Sequence, residues 1–238
     1  MRNLLLTGGI FHPFDQSAPT MASIFEEVGF ESEITEDLEE GLSRLDRESF
    51  DMLTVYALRW TMQTGEKYKP YREQWALSLS EASRLALTDF VREGGALLAM
   101  HTAAICFDDW HEWSEIVGAK WVWGTSSHPP FGPVETLKEP LEHPITRGVE
   151  SFHLEDEVYS RMQLTLDVEP LLSARAAEQE IAQPVLWARK FGKGRVVFDA
   201  LGHDAAALRQ ETHSMIIQRS ALWALSLIHI SEPTRPNE

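Results

Sequence analysis

The sequence predicts a three-layer α/β domain built on a parallel sheet. Over most of the 238 residues, short apolar segments alternate with segments whose apolar residues recur at helical spacing. Residues 96–100 are uninterruptedly apolar and follow a glycine pair, which is typical of a buried parallel strand. A hydrophobic content of 43% in a chain of this length is enough for one well-buried domain of the larger α/β kind.

Taken in order, the first half of the chain predicts strands at residues 1–7, 30–34, 51–58 and 96–100, and helices at residues 17–28, 36–47 and 81–93. Leu38, Leu42 and Leu45 show the helical spacing, and acidic residues near the start of their segment suit the helix dipole. The polar, aromatic loop that runs to about residue 79 is longer than most loops, which favours a functional role.

The second half changes character between residues 119 and 173. We expect an insertion of antiparallel strands and loops that covers the sheet edge, with strands near residues 134–137 and 152–161. Residues 185–190 and 195–200 predict a hairpin, and a last helix follows from about residue 205 to 223.

The last residues of the chain resemble a cloning or sequencing artefact. Residues 225–235 match the conceptual translation of a sequencing-library adapter, so we expect one domain over residues 1–224 and a foreign tail over 225–238. The alternative is an ordinary helix end with a polar tail.

Charge and cysteine content exclude several classes of function. A formal net charge of −16 disfavours nucleic acid and anionic membrane surfaces as partners. The single cysteine, Cys106, excludes an internal disulfide and fits a reducing compartment. The chain shows neither a signal peptide nor an apolar run of about 18 residues, so we expect a cytoplasmic protein.

His101 ends the fourth predicted strand, and small residues follow it at once. Such a strand-to-helix corner displays one reactive side chain above the sheet edge, and Ala99 and Ala103 are small enough for a tight turn. Because the residue is histidine rather than serine or cysteine, metal binding or acid–base work is the expected chemistry.

Six segments together resemble the ThuA-like (trehalose-utilisation) family: residues 94–103, 143–148, 156–159, 184–187, 191–198 and 201–204. They occur in the family's order. The resemblance implies a class I glutamine amidotransferase-like fold, with a flavodoxin-like parallel sheet, and a role in carbohydrate utilisation.

Amidotransferases of this fold place a cysteine at the corner and draw a histidine and an acid from a late loop. The resemblance implies that His101 replaces this cysteine and that His203 and Asp204 lie in the late loop, which would give a His–His pocket. Cys106 falls about one and a half helical turns after the corner and should point elsewhere. We therefore expect no glutaminase activity.

Four histidines stand in loops or at strand ends and could converge: His12, His101, His128 and His203. We predict His101 and His203 as catalytic residues, and His101, His128 and His203 as ligands of a divalent metal such as zinc. No close-spaced ligand motif supports the metal, and each ring could instead cap a helix or bond a carbonyl.

Acidic residues near Tyr159 supply the nearest carboxylates. If the strand alternates, Glu155, Glu157 and Tyr159 share one face and Asp156 takes the other. We predict Glu157 as catalytic and Asp156 and Tyr159 as substrate-binding, with one carboxylate lining the pocket and the other bracing it. A solvated acidic edge strand is the alternative, and Asp204 could simply cap the last helix.

Aromatic side chains suit a sugar ligand, because their faces stack on the apolar faces of sugar rings. Five tryptophans lie in or beside loops near the predicted mouth: Trp60, Trp110, Trp113, Trp121 and Trp123. We predict Trp60, with His12 and His128, as substrate-binding. Core packing or the surface of a homo-oligomer are alternative roles for such residues.

Two functions remain open from the sequence. The first is a hydrolase or lyase that acts on a disaccharide, such as trehalose, or on its keto form. The second is a non-catalytic sugar-binding or regulatory module that kept the fold.

Overall fold

A computed structural model describes residues 1–177 and 179–228. Its strands are β1 (Arg2–Gly9), β2 (Glu31–Thr35), β3 (Met52–Leu58), β4 (Ala96–Met100), β5 (Ala119–Lys120), β6 (Gly132–Lys138), β7 (His153–Asp156), β8 (Gln163–Leu164), β9 (Pro170–Ala176), β10 (Gln183–Phe191) and β11 (Gly194–Asp199). Within the described residues, nine strands form one sheet in the order β2-β1-β3-β4-β11-β10-β9-β6-β7.

The first five strands of this order are parallel. Every residue of β3 and β4 is buried, which explains their uninterrupted apolar sequences. The predicted hairpin is present as β10 and β11, which pair antiparallel from Leu186–Asp199 to Phe191–Gly194.

The helices are α1 (Phe14–Glu26), α2 (Leu38–Ser43), α3 (Arg72–Trp75), α4 (Glu81–Glu93), α5 (His111–Val117), α6 (Ala205–Arg209) and α7 (Glu211–Ala224). α1 packs against α6 and α7, while α2 packs against α4. Both α4 and α7 contact β11, so helices cover the sheet in two groups and the α/β prediction is confirmed.

Several helix boundaries differ from the prediction. α1 begins at Phe14 instead of residue 17, and α2 is limited to six residues. The predicted last helix is interrupted at Gln210, whose ψ of 126° leaves the helical region. The Gln210 side chain then accepts a hydrogen bond from the backbone N–H of His213 and starts α7.

The antiparallel strands predicted within residues 119–173 are present, and they extend the edge of the main sheet instead of lying over it. β6 and β7, together with β9, extend the main sheet by antiparallel pairing. β5 and β8 form a separate two-stranded sheet. The strand predicted over residues 152–161 ends at Asp156, because the following residues turn inward and become buried.

The foreign tail proposed from the sequence is described only in its first four residues, 225–228, which follow α7, and residues 229–238 lie outside the described part. None of the helices in the described ranges is long and apolar enough to cross a membrane.

Candidate active site

The corner after β4 has the geometry of a tight strand-to-turn junction. His101 adopts a left-handed conformation with φ of 47°, which is uncommon for a side chain other than glycine. The Thr102 hydroxyl donates to the Ala57 carbonyl at 2.6 Å, and the Trp113 indole donates to the Ala103 carbonyl at 2.9 Å. These two hydrogen bonds anchor the corner on both sides of the sheet edge.

Three histidines meet at this edge because β1, β4 and β11 are parallel and their carboxyl ends lie together. His12 follows β1, His101 follows β4, and His203 follows β11. The Nε2 atoms of His12 and His101 are 3.0 Å apart, and the ring centroids of His12 and His203 are 4.5 Å apart. The two imidazoles predicted to share a pocket, His101 and His203, have ring centroids 5.6 Å apart.

Glu157 brings a carboxylate to the same point. Its Oε2 lies 3.5 Å from Nδ1 of His203, 3.8 Å from Nε2 of His101 and 4.0 Å from Nε2 of His12. One ligand atom from each of these four side chains lies within 4.8 Å of every other. We call His12, His101, Glu157 and His203 the histidine–glutamate cluster.

Both imidazoles at the back of the cluster are oriented by backbone carbonyls. His101 Nδ1 donates to the Ala200 carbonyl at 2.7 Å, and His12 Nδ1 donates to the Ile10 carbonyl at 3.3 Å. Because a carbonyl only accepts, Nδ1 of each ring carries the hydrogen and Nε2 faces the cluster. The Tyr159 hydroxyl lies 3.2 Å from His101 Nε2, and its ring stacks on the imidazole.

Burial and charge set the protonation of these groups. Burial lowers the pKa of His12 to about 4 and lowers the pKa of His101 well below its usual range. Burial alone would lower the pKa of His203, but contact with Glu157 outweighs it and raises that pKa. For Glu157 the signs are reversed: burial alone would raise its pKa, but the neighbouring imidazoles outweigh burial and lower that pKa. At neutral pH these shifts favour neutral imidazoles for His12 and His101 beside an ionised Glu157.

Asp156 braces the site from behind. Its carboxylate accepts hydrogen bonds from the backbone N–H groups of Gly202 at 2.7 Å, His203 at 3.3 Å and Glu157 at 2.7 Å. Burial raises its pKa to about 7 in spite of these hydrogen bonds. The expectation that Glu155 and Glu157 share a face is wrong, because the strand ends at Asp156 and Glu155 is exposed.

His128 lies beside the cluster without joining the set that could share one ion. Its side chain is 40% exposed, its Nδ1 is 2.9 Å from the Pro129 carbonyl, and the same atom is 3.5 Å from Oε1 of Glu157. The four groups that converge thus include His12 and Glu157, whereas His128, which we predicted as a metal ligand, is not among them.

A pocket of about 260 Å³ opens in front of the cluster. It is lined by Phe11, His12, Leu58, Trp60, Tyr68, Ile105, Trp121, Trp123, His128, Glu157 and Tyr159. Its walls are largely aromatic, and the rings of Trp60 and Trp123 stack with centroids 5.9 Å apart. Sequence patterns gave no signal for Phe11, Tyr68 or Ile105, because loop contacts have no periodicity.

Two of the tryptophans that the sequence placed near the mouth lie elsewhere. Trp110 and Trp113 are buried and stack on each other with centroids 6.1 Å apart, away from the pocket lining. Trp187 is a core residue, since it is fully buried and stacks on Phe198 with ring centroids 4.5 Å apart. Aromatic content alone therefore did not separate pocket walls from core.

Cys106 points away from the cluster. The thiol is buried, donates to the Ala57 carbonyl at 3.0 Å, and burial raises its pKa to about 12. Such a thiol does not ionise near neutral pH.

A larger and more open groove of about 520 Å³ lies between α5 and the β5–β8 sheet. It is lined by His111, Ser114, Glu115, Lys120, Gln163, Leu164, Thr165, Leu166 and Asp167. Converging imidazoles and carboxylates are found in the smaller pocket, so the smaller pocket is the candidate active site.

Comparison with known proteins assigns the family. The family model described as ThuA, trehalose utilisation, matches residues 4–224. The chain belongs to the ThuA family. No curated protein matches this ThuA family member in sequence.

Solved structures support the same fold. A ThuA-like protein from Parabacteroides merdae ATCC 43184 aligns with a TM-score of 0.76 and 17% identity, covering 98% of this chain and 92% of that one. A ThuA-like protein from Bacteroides uniformis ATCC 8492 aligns with a TM-score of 0.66 and 17% identity, covering 94% and 91%.

The fold is also similar to part of a larger enzyme. A β-galactosidase from Bacillus circulans sp. alkalophilus aligns with a TM-score of 0.55 and 12% identity, covering 94% of this chain but 30% of that one. At these identities, the likeness concerns the fold alone.

Proposed function

We propose that this ThuA family member is an enzyme of carbohydrate utilisation that cleaves a disaccharide derivative in the pocket in front of the histidine–glutamate cluster. His101, His203 and Glu157 are the catalytic residues in this proposal. The observation that carries it is the convergence of these three groups beside an aromatic-walled pocket, in a chain of the trehalose-utilisation family.

The size and lining of the pocket support a sugar ligand. Pockets for drug-sized ligands usually measure about 300–1,000 Å³, so a pocket of about 260 Å³ suits one sugar ring. Trp121 and Trp123 are half-buried and offer aromatic surface to such a ring, and His12, His128 and Tyr159 offer polar groups. Phe11, which is 61% exposed, extends the aromatic surface outward for a second unit.

The polar groups favour a keto derivative over an ordinary glycoside. Most glycosidases use two carboxylates on either side of the scissile bond. Here Glu157 lines the pocket, whereas both oxygens of Asp156 accept backbone hydrogen bonds. Imidazoles beside one carboxylate suit proton transfer next to a sugar carbonyl.

Glutaminase activity is not part of this proposal, because the corner carries His101 and the thiol of Cys106 is buried elsewhere. A cytoplasmic location is part of it, supported by the single reduced cysteine.

The test compares two neighbouring carboxylates. Trehalose, sucrose, maltose and their keto forms are incubated with the protein, and released monosaccharide is measured by chromatography. Glu157→Gln is expected to lower kcat by roughly 100-fold or more, because it removes a group that contacts the reacting atoms. Glu155→Gln, on the exposed face of the adjacent strand, is the matched control and should retain wild-type turnover.

Equal activity in the two variants would contradict the assignment of Glu157. Binding of sugars without turnover of any of them would instead show a non-catalytic sugar-binding module.

A further inference from the structure

We infer that His12, His101, His203 and Glu157 form a binding site for one divalent transition-metal ion. The inference deepens the proposed function and rests on it only for the role of the ion. Its ligand set differs from the one that the sequence indicated, since His12 and Glu157 take part and His128 does not.

The first argument is the mutual orientation of His12 and His101. Their Nδ1–H groups are directed at the carbonyls of Ile10 and Ala200, so two neutral rings present lone pairs to each other across 3.0 Å. Two acceptors at hydrogen-bond distance repel each other unless a positive centre lies between or beside them. That centre is either a proton or a metal ion.

The Tyr159 hydroxyl does not remove this difficulty. It lies 3.2 Å from Nε2 of His101 and can donate to that atom, but the lone pair of His12 still faces the same point. A shared proton would place a full charge on a ring pair in which the His101 side chain is completely buried and the His12 side chain is 6% exposed.

The second argument is the carboxylate. Oε2 of Glu157 approaches all three imidazoles at 3.5–4.0 Å, longer than a hydrogen bond to any of them. Nδ1 of His203 is buried and has no hydrogen-bond partner in the described ranges. Polar atoms that converge without bonding one another are what a metal centre requires of its ligands.

The third argument is the spacing. With zinc bond lengths of 2.0–2.1 Å, neighbouring ligand atoms of a tetrahedral site lie about 3.3 Å apart. Four of the six separations within the cluster are 3.0, 3.5, 3.8 and 4.0 Å, and all six lie within 4.8 Å, so small side-chain movements bring the four atoms to a common centre.

The hydrogen bonds from His12 and His101 to backbone carbonyls are also typical of metal-binding histidines. Imidazoles that bind metals usually donate their other N–H to a carbonyl or carboxylate, which fixes the tautomer and the ring orientation. His12 and His101 both do so. An ion held there would border the pocket, because His12 and Glu157 line it, and would polarise a sugar carbonyl.

The experiment measures metal binding without any sugar. The full chain is purified without a histidine tag, stripped with a chelator, and titrated with zinc chloride by calorimetry, with elemental analysis of the dialysed complex. Cobalt(II) is a second probe, because its visible spectrum reports the coordination geometry. Circular dichroism establishes that each variant is folded.

We expect one ion per wild-type chain. His12→Ala and His203→Ala should each weaken zinc affinity by at least roughly 100-fold and alter the cobalt spectrum, since loss of a ligand exceeds the effect of losing a residue behind it. His128→Ala is the matched control, a pocket histidine outside the set, and should bind zinc with nearly wild-type affinity.

Three outcomes would overturn the inference. They are absence of a stoichiometric ion in the wild type, zinc affinity unchanged in both His12→Ala and His203→Ala, and loss of binding in His128→Ala with retention in His12→Ala. A far-downfield proton resonance shared by His12 and His101, in protein that takes up no zinc, would identify a proton as the positive centre.

Failure of this inference is distinguishable from failure of the proposed function. Sugar turnover by chelator-treated, metal-free protein would contradict a role for the ion in catalysis and leave the proposed enzymatic function intact. Tight zinc binding in a protein that turns over no sugar would support the metal site and contradict the proposed enzymatic function.

Discussion

Trp60 and Trp187 are both fully buried but differ in one hydrogen bond. The indole N–H of Trp187 donates to the Val117 carbonyl at 2.8 Å. The indole N–H of Trp60 has no partner in the described part of the chain, although Trp60 lines the pocket. A buried donor without a partner costs stability.

Replacement of each tryptophan by phenylalanine tests this difference. Both variants lose similar volume, but Trp187→Phe also loses a hydrogen bond, so it should reduce the free energy of unfolding by about 1–2 kcal/mol more than Trp60→Phe. Urea unfolding measures both values. Trp60→Phe should weaken sugar binding, because Trp60 is among the residues that line the pocket, and Trp187→Phe should not. Equal stability losses would indicate that the Trp60 indole is satisfied in solution.

At the scale of elements, a buried ion pair joins α7 to the end of β11. Nε2 of His213 lies 3.0 Å from Oδ2 of Asp199, and its Nδ1 donates to the Ala207 carbonyl in α6 at 2.8 Å. Oδ1 of Asp199 accepts from the backbone N–H of Leu201. His213 is thus the partner of a buried carboxylate that directly precedes the loop carrying His203.

This pair predicts a pH dependence of stability. Burial alone would lower the pKa of His213, but the charge and hydrogen bond of Asp199, with a smaller effect of Asp156, raise it above 6.5. The folded state therefore binds this proton more tightly than the unfolded chain. The resulting stabilisation is complete below pH 6.5 and is lost as the pH rises through the folded pKa.

His213→Gln removes the titrating group and leaves Asp199 buried without its cation. We expect His213→Gln to reduce the free energy of unfolding by about 3–5 kcal/mol at pH values below the folded pKa of His213, and by less at high pH. Urea unfolding from about pH 6 to about pH 9 measures the difference from wild type. The exposed His111 supplies the control variant, His111→Gln, which should keep the wild-type slope. A difference between wild type and His213→Gln that does not change with pH would refute this account.

At the scale of the whole molecule, the sheet must curl for the site to exist. β7 lies five strands from β4 in the sheet order, about 24 Å away if the sheet were flat. In the structure, residues directly after these two strands are in contact, because Oε2 of Glu157 is 3.8 Å from Nε2 of His101. The backbone N–H groups of Gly202 and His203, in the loop after β11, donate hydrogen bonds to Asp156 at the end of β7 and so hold these two parts of the sheet together.

Asp156→Asn tests this connection. The amide has one accepting oxygen in place of two, so a backbone N–H of Gly202 or Glu157 loses its partner. We therefore expect Asp156→Asn to reduce the free energy of unfolding by about 1–3 kcal/mol. Misplacement of Glu157 should also weaken zinc binding. Asp204→Asn is the control: one oxygen accepts both capping bonds, from Ala206 and Ala207, and asparagine caps equally well. Thermal unfolding and calorimetry would contradict the account if the two variants behaved alike.

Much of the fold was predictable because local patterns decide it. Buried strands β3 and β4 are apolar throughout, and α4 begins at a capping Ser80 and ends at Gly94, which has a positive φ. The pairing of the antiparallel strands with the main sheet was not predictable, because short strands of mixed polarity, such as β7, pair by long-range contacts that leave no periodic signal.

The candidate site was predictable only in part. His101 and His203 were identified from their positions after strands, and Glu157 was identified from a segment that resembles the family. Membership of His12 in the cluster, and the position of His128 beside it, depend on ring orientations that loops determine.

By itself, the sequence determined the alternation of strands and helices, the family, and the histidine at the corner. Each of these follows from local patterns of residues that are close together along the chain. Only the tertiary structure decided which imidazoles share one centre, which tryptophans line the pocket, and that Glu157 rather than Glu155 faces it. The physical reason is distance along the chain: His12 and His203 meet through parallel strands, and Glu157 reaches them through a curled sheet.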